Sequence, residues 1–129
     1  MNSLYVAIGG ALGSVARYQM DGWVQAKFGA QFPYGTLAVN VVGSFLLALL
    51  MFVALHTEAI SPSMRLALST GVIGGFTTYS TFNYETLRLA QNGAWALVAL
   101  NLVGTLAGCL IAGALGWIFA GFLLDLRQG

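Results

Sequence analysis

The stretch "GVIGGFTTYSTFNYE", Gly71 to Glu85, falls where hydropathy calls for the middle of a membrane-spanning helix. Glycine lowers helix preference, and Thr, Ser and Tyr offer side-chain hydrogen bonds to a backbone that has left its ladder. Gly74-Gly75 followed by Thr77-Thr78 therefore reads as a helix break. In lipid each unsatisfied amide or carbonyl is costly, so a break survives only when it is buried in protein or lines a polar cavity. Carbonyls freed in this way are able to hold a cation, as the broken helices of transporters do. A plain glycine kink without a ligand is the competing reading. Just past the break, Tyr79 and Phe82 stand at i and i+3 on one face. Their electropositive ring edges suit an anion, and simple packing suits them equally well.

The sequence around this stretch sets its context. Of 129 residues, 58% are apolar or aromatic and 7% are charged, against roughly 25% charged in a soluble domain. Four apolar runs, Leu4–Ala26, Thr36–Leu55, Met64–Ala90 and Ala94–Leu124, reach the ~20 residues that a ~30 Å hydrocarbon core demands of a helix. The expectation is an all-α membrane protein: a single transmembrane domain over residues 1–129 with four helices, the third broken. The longest connection, "HTEAISPS" from His56 to Ser63, carries the helix-start signal Ser-Pro-Ser. The first run has no basic segment before it and contains Arg17, so it is expected to stay as helix 1 and not to be a cleaved signal. One cysteine, Cys109, and one histidine give no intrachain disulfide, no metal-ligand cluster and no triad, which argues against an enzyme.

Charge placement bears on orientation. Four spans put both termini and the second loop on one side, with Arg65 and Arg127, and the other two loops opposite, with Lys27 and Arg88. Arg17 lies within helix 1 and is left out of the count. The positive-inside bias is absent. Insertion both ways up, with assembly as an antiparallel dual-topology homodimer, fits this balance. An orientation fixed by other details of insertion is the alternative.

Polar groups at membrane depth face partners or water-filled paths. In helix 4, Asn101, Thr105 and Cys109 recur four residues apart on one face; Asn40 and Ser44 do so in helix 2, and Gly9, Gly13 and Arg17 in helix 1. The pairs Gly9/Gly13, Gly71/Gly75 and Gly104/Gly108 are small-xxx-small spacings that let helices approach. Asn40 reads either as interhelical glue or as a ligand contact. Arg17 either snorkels to the interface or gives a vestibule a positive potential. Glu85 and Arg88, at i and i+3, are expected to form a local ion pair.

Taken together, "GGALGSVARY", "GTLAVNVVGSF" and "GVIGGFTTYSTFNYETL" resemble the small bacterial fluoride channels of the Fluc (CrcB) family, along nearly the whole chain and most specifically in helix 3. The resemblance implies a four-helix subunit in an antiparallel homodimer with two fluoride pores, in a bacterial inner membrane, multi-pass. It further implies that the carbonyls of Gly74 and Thr77 from both subunits hold a sodium ion at the dimer axis. Asn40 would donate a hydrogen bond to fluoride and Phe82 would present its ring edge. Tyr79, Ser80 and the helix 4 track of Asn101, Thr105 and Cys109 would complete the pore, Arg17 would line a vestibule, and Glu85 would sit close by. Two positions depart from the family pattern: Tyr79 stands where it has phenylalanine, and Cys109 offers a thiol, a weaker donor, in place of a hydroxyl. The implied function is passive fluoride export that relieves fluoride toxicity, with fluoride, lipid and a second copy of the chain as partners and no nucleic acid. The alternative is a small dual-topology, proton-coupled exporter of cationic compounds. That class needs a membrane-embedded carboxylate, whereas helix 1 carries Arg17 mid-course and Asp21 only toward its end.

Overall fold

Long apolar runs without interior proline wind into helix, because only a helix satisfies every backbone group within its own segment in a medium that offers no water. The computed structural model describes residues 1–129, Gln128 by its backbone alone. It is all-helical. Helix α1 covers Asn2–Phe28 and ends at Gly29, whose φ of 93° a side chain would resist. Helix α2 covers Tyr34–His56. The short α3, Pro62–Leu66, starts as the Ser-Pro-Ser signal indicates: the Ser61 hydroxyl accepts from the Met64 amide at 3.2 Å, and Pro62 occupies the first turn. Without a gap the chain continues as a π-helix over Ala67–Ile73 and then as α4, Gly74–Phe76. Helix α5 spans Tyr79–Gln91 and α6 spans Trp95–Gln128. These limits lie within a few residues of the four expected runs.

Packing follows the small residues. Helix α1 lies against the π-helix and α4 with backbones touching. A Cβ on Gly13 would collide with the Val72 carbonyl and stand 3.0 Å from the Phe76 nitrogen, and one on Gly75 would stand 2.6 Å from the Gly10 oxygen. Thus the Gly9/Gly13 and Gly71/Gly75 pairs face each other. The Gly104/Gly108 pair does not act in this way: nothing lies within 4 Å of a Cβ on Gly104, and one on Gly108 meets only the Val41 side chain. Close approach between α6 and α2 occurs lower down, where Gly116 sits against the Phe45 carbonyl. There Phe52 and Trp117 add an edge-to-face contact with centroids 4.8 Å apart.

The interior is small and partly polar. Val39 and Ala120 are fully buried, and so, nearly, are Thr36 and Asn101. Meanwhile Leu110 is 67% exposed and Ile118 66% exposed. Large apolar side chains outward and amides inward is the arrangement of a membrane protein. By length and composition alone, Tyr34–His56 and Trp95–Arg127 are the two spans among the described residues that suffice to cross a bilayer. Helix α1 carries Arg17, Asp21 and Lys27, and the third run is divided among shorter elements.

The backbone contact at Gly13 yields a test. Overpacking a tight contact costs roughly 1–3 kcal/mol, so Gly13→Val should lower the melting temperature of the detergent-purified protein or abolish the folded species on size exclusion. Gly104→Ala, which meets open space, should leave both unchanged.

Candidate functional site

Between α4 and α5 two residues leave helical dihedrals: Thr77 has φ −87° and ψ 156°, and Thr78 has φ −150° and ψ 113°. Gly74 keeps φ −61° and ψ −38° and remains helical, so the threonines carry the change and not the glycines before them. The Thr77 amide and hydroxyl both donate to the Ile73 carbonyl, at 3.0 and 3.1 Å. Thr78 turns to another helix. Its amide donates to Asn40 Oδ1 at 2.8 Å, and its carbonyl accepts from Asn40 Nδ2 at 3.0 Å. Its hydroxyl then caps α5 by accepting from the Thr81 amide at 3.3 Å.

Some backbone groups stay without partners. Among the described residues no hydrogen bond reaches the carbonyls of Gly74 and Thr77, and none is made by the amides of Tyr79 and Ser80. The carbonyl of Gly75, next after Gly74 in the chain, accepts from Arg17 Nε at 3.0 Å. Arg17 therefore neither snorkels to the interface nor hangs free; it is anchored on the helix end before the two threonines.

A groove of about 630 Å³ opens beside this point. Asn40, Thr77, Tyr79, Phe82, Thr105 and Cys109 all line it. The Tyr79 and Phe82 rings lie 5.6 Å apart at 60°. Asn40 is only 9% exposed, and of its two N–H groups one is taken by Thr78, which leaves the other available. Thr78 and Ser44 also line the groove, although the Ser44 hydroxyl donates to the Asn40 carbonyl of its own helix at 2.7 Å. Neither is among the site residues that the sequence pattern points to. Ser44 was visible in the stripe it shares with Asn40, whereas Thr78 is a site residue through its backbone, which no side-chain pattern reveals.

Three expected residues lie elsewhere. Ser80 and Gly74 are exposed and outside the groove lining. Asn101 is 1% exposed and donates to Thr86 Oγ1 at 2.9 Å, and the Thr86 hydroxyl in turn donates to the Phe82 carbonyl at 2.7 Å. Thr105, at 3.4 Å from Asn101 Oδ1, links that buried chain to the groove. The Glu85–Arg88 ion pair is not formed. Glu85 Oε1 accepts from the Thr36 hydroxyl at 2.8 Å and Oε2 is buried without a hydrogen-bond partner. A hydroxyl brought over from α2 outcompetes the neighbour one turn away. Glu85 and Arg88 instead line a second, polar depression of about 430 Å³ with Asp21 and Gln25.

No group of three or more His, Cys, Asp or Glu suited to a metal occurs among the described residues. The unpartnered oxygens at the interruption are backbone carbonyls, a donor type that suits an alkali cation.

With this geometry established, comparison with known proteins is direct. The profile of the family described as CrcB-like protein, Camphor Resistance (CrcB), matches residues 4–117. The chain belongs to the CrcB family. A CrcB-family relative from Sorangium cellulosum (strain So ce56), named fluoride-specific ion channel FluC, is 55% identical over 116 residues, 90% of this chain and 91% of its own. Another of that name, from Anaeromyxobacter sp. (strain K), is 56% identical over 109 residues, 84% and 86% of the two chains. A third, from Geobacter sulfurreducens, is 49% identical over 108 residues, 84% and 87%.

The Asn40–Thr78 pairing sets a measurable requirement on this CrcB-family chain. Asn40→Leu strands a backbone amide and a carbonyl, each worth about 1–3 kcal/mol when buried without a partner. Thermal melting in detergent should show a loss of several degrees or outright failure to fold. Asn40→Asp, an isostere that keeps the acceptor for the Thr78 amide and loses the donor to its carbonyl, should fall between.

Proposed function

We propose that this chain is a fluoride-selective channel that lets fluoride leave the cytoplasm passively across a bacterial inner membrane, and thereby relieves fluoride toxicity. The observation that carries the reading is the groove, where Asn40, Tyr79, Phe82, Thr105 and Cys109 meet beside the unpartnered amides of α5. The names of the relatives, all ion channels and not enzymes, point the same way.

The chemistry suits the ion. Fluoride is small and strongly hydrated, so a path must replace its water with donors without holding it too tightly to leave. Several modest sites do this better than one strong site. Here the second N–H of Asn40, the amide of Tyr79 at the positive end of α5, and the edge of the Phe82 ring are such sites. The Thr105 hydroxyl and the Cys109 thiol continue the polar track along the groove, and Asn101, buried behind it, holds Thr105 in place. The bulkier chloride fits those donors poorly and is rejected. Arg17 and the Glu85 depression supply the polar approach.

The assembly is an antiparallel dual-topology homodimer of four-span subunits, each a single transmembrane domain whose third span is broken at Thr77–Thr78. Two features support it. Basic residues are balanced between the two sides, and a polar surface including Ser80, the Tyr79 hydroxyl and the Gly74 carbonyl stays open in one subunit, where lipid would be a poor partner. The same surface supports a sodium ion at the dimer axis, held by the Gly74 and Thr77 carbonyls of both subunits. When bound, the ion supplies a fixed positive charge that ties the two third spans together.

Liposomes loaded with potassium fluoride, carrying the purified protein and treated with valinomycin, should release fluoride far faster than protein-free liposomes, with little release from a matched chloride load. Equal silence for both anions from folded dimer contradicts the proposal. Phe82→Ile should slow fluoride release about tenfold or more, the effect of ~1.4 kcal/mol on a barrier. In native membranes a C-terminal tag should be reached by protease from both sides; access from one side only contradicts dual topology.

A further inference from the structure

We infer that Arg17 is a positioning residue for the cation site: by holding the Gly75 carbonyl it fixes the last helical turn before the interruption, and with it the carbonyls of Gly74, one residue before, and of Thr77, two residues after. The inference rests on the sodium reading above. Its geometric basis is independent of that reading. Gly9, Gly13 and Arg17 fall on one face of α1, and Gly13 brings that face into backbone contact with Val72 and Phe76. One turn further, the guanidinium meets the Gly75 oxygen through Nε at 3.0 Å, in a half-buried setting. A guanidinium is planar and rigid, and its bond to a carbonyl is charge-assisted, so it fixes the orientation of the peptide group it grips. Gly75 has no side chain to do this itself, and the carbonyls of Gly74, the residue before, and of Thr77, two residues after, have no partner among the described residues.

Two effects of Arg17 on a bound cation oppose each other. Fixing the carbonyls strengthens binding. A like charge nearby weakens it. A residue that only charged a vestibule would show the second effect alone, so its removal would tighten sodium binding; removal of a positioning residue weakens it. Sign alone separates the two roles.

The test is thermal melting of the purified dimer in detergent across a sodium series, balanced with N-methylglucamine at constant ionic strength, for wild type, Arg17→Met and Arg17→Lys. Wild type should be stabilised by sodium. Arg17→Met should need about tenfold more sodium, or greater, for the same half-effect, the equivalent of one charge-assisted hydrogen bond. Arg17→Lys keeps the charge without the planar fork, and should also shift upward by a smaller factor; it serves as the test if Arg17→Met does not fold. An unchanged or lower half-effect concentration in either folded variant overturns the inference while leaving the sodium site standing. A wild type indifferent to sodium overturns both.

Discussion

The pairing of the Asn40 side chain with the backbone of Thr78 is the interaction on which the functional region depends. A carboxamide has the same donor and acceptor as a peptide group, so Asn40 takes the place that a neighbouring strand would occupy, giving 2.8 and 3.0 Å bonds in both directions. It does so from a nearly buried position on α2, where an unpaired amide or carbonyl is costly. Without it, two residues at membrane depth have reason to return to the helix ladder. With it, the chain can halt one helix, start another, and leave a few backbone groups facing a groove.

The rest of the molecule holds those two helices in register. Glycines on α1 and on the third segment bring the backbones together, which places Arg17 on the Gly75 carbonyl in the last turn before the interruption. On the far side the Thr78 hydroxyl caps α5, and the Thr86–Asn101 bond fastens α5 to α6. Polar interactions therefore lie inside and the large apolar side chains lie outside. In lipid, where apolar burial gives helices little reason to associate, close packing and interhelical hydrogen bonds are the remaining sources of specificity.

Much of this was legible in the sequence, where helical periodicity places residues on faces. The four runs, the Ser-Pro-Ser start, the Gly9–Gly13–Arg17 face and the region of the interruption all follow from local chemistry. What was not legible depends on partners far along the chain. Thr77 and Thr78, and not the glycines, leave the ladder because Asn40 stands 38 residues away in sequence and beside Thr78 in space. Glu85 ignores Arg88 for a hydroxyl 49 positions off. The π-helix over Ala67–Ile73 leaves no mark on the apolar pattern. The track of Asn101, Thr105 and Cys109 divides for a geometric reason: residues eight apart on a helix of 3.6 residues per turn are rotated by about 80°, so one end meets α5 and the other meets the groove.

The central claim is that backbone at membrane depth is open on one side of the interruption to the groove that Asn40, Thr105 and Cys109 line, and is held by Asn40 at its centre. Residue-resolved amide hydrogen exchange in lipid nanodiscs tests it directly. The account predicts fast exchange at Tyr79 and Ser80, with protection of Thr78 and of the amides in Val72–Phe76 and Phe82–Leu87 on either side. Uniform protection from Ala67 to Gln91, the signature of one continuous helix in lipid, would contradict it.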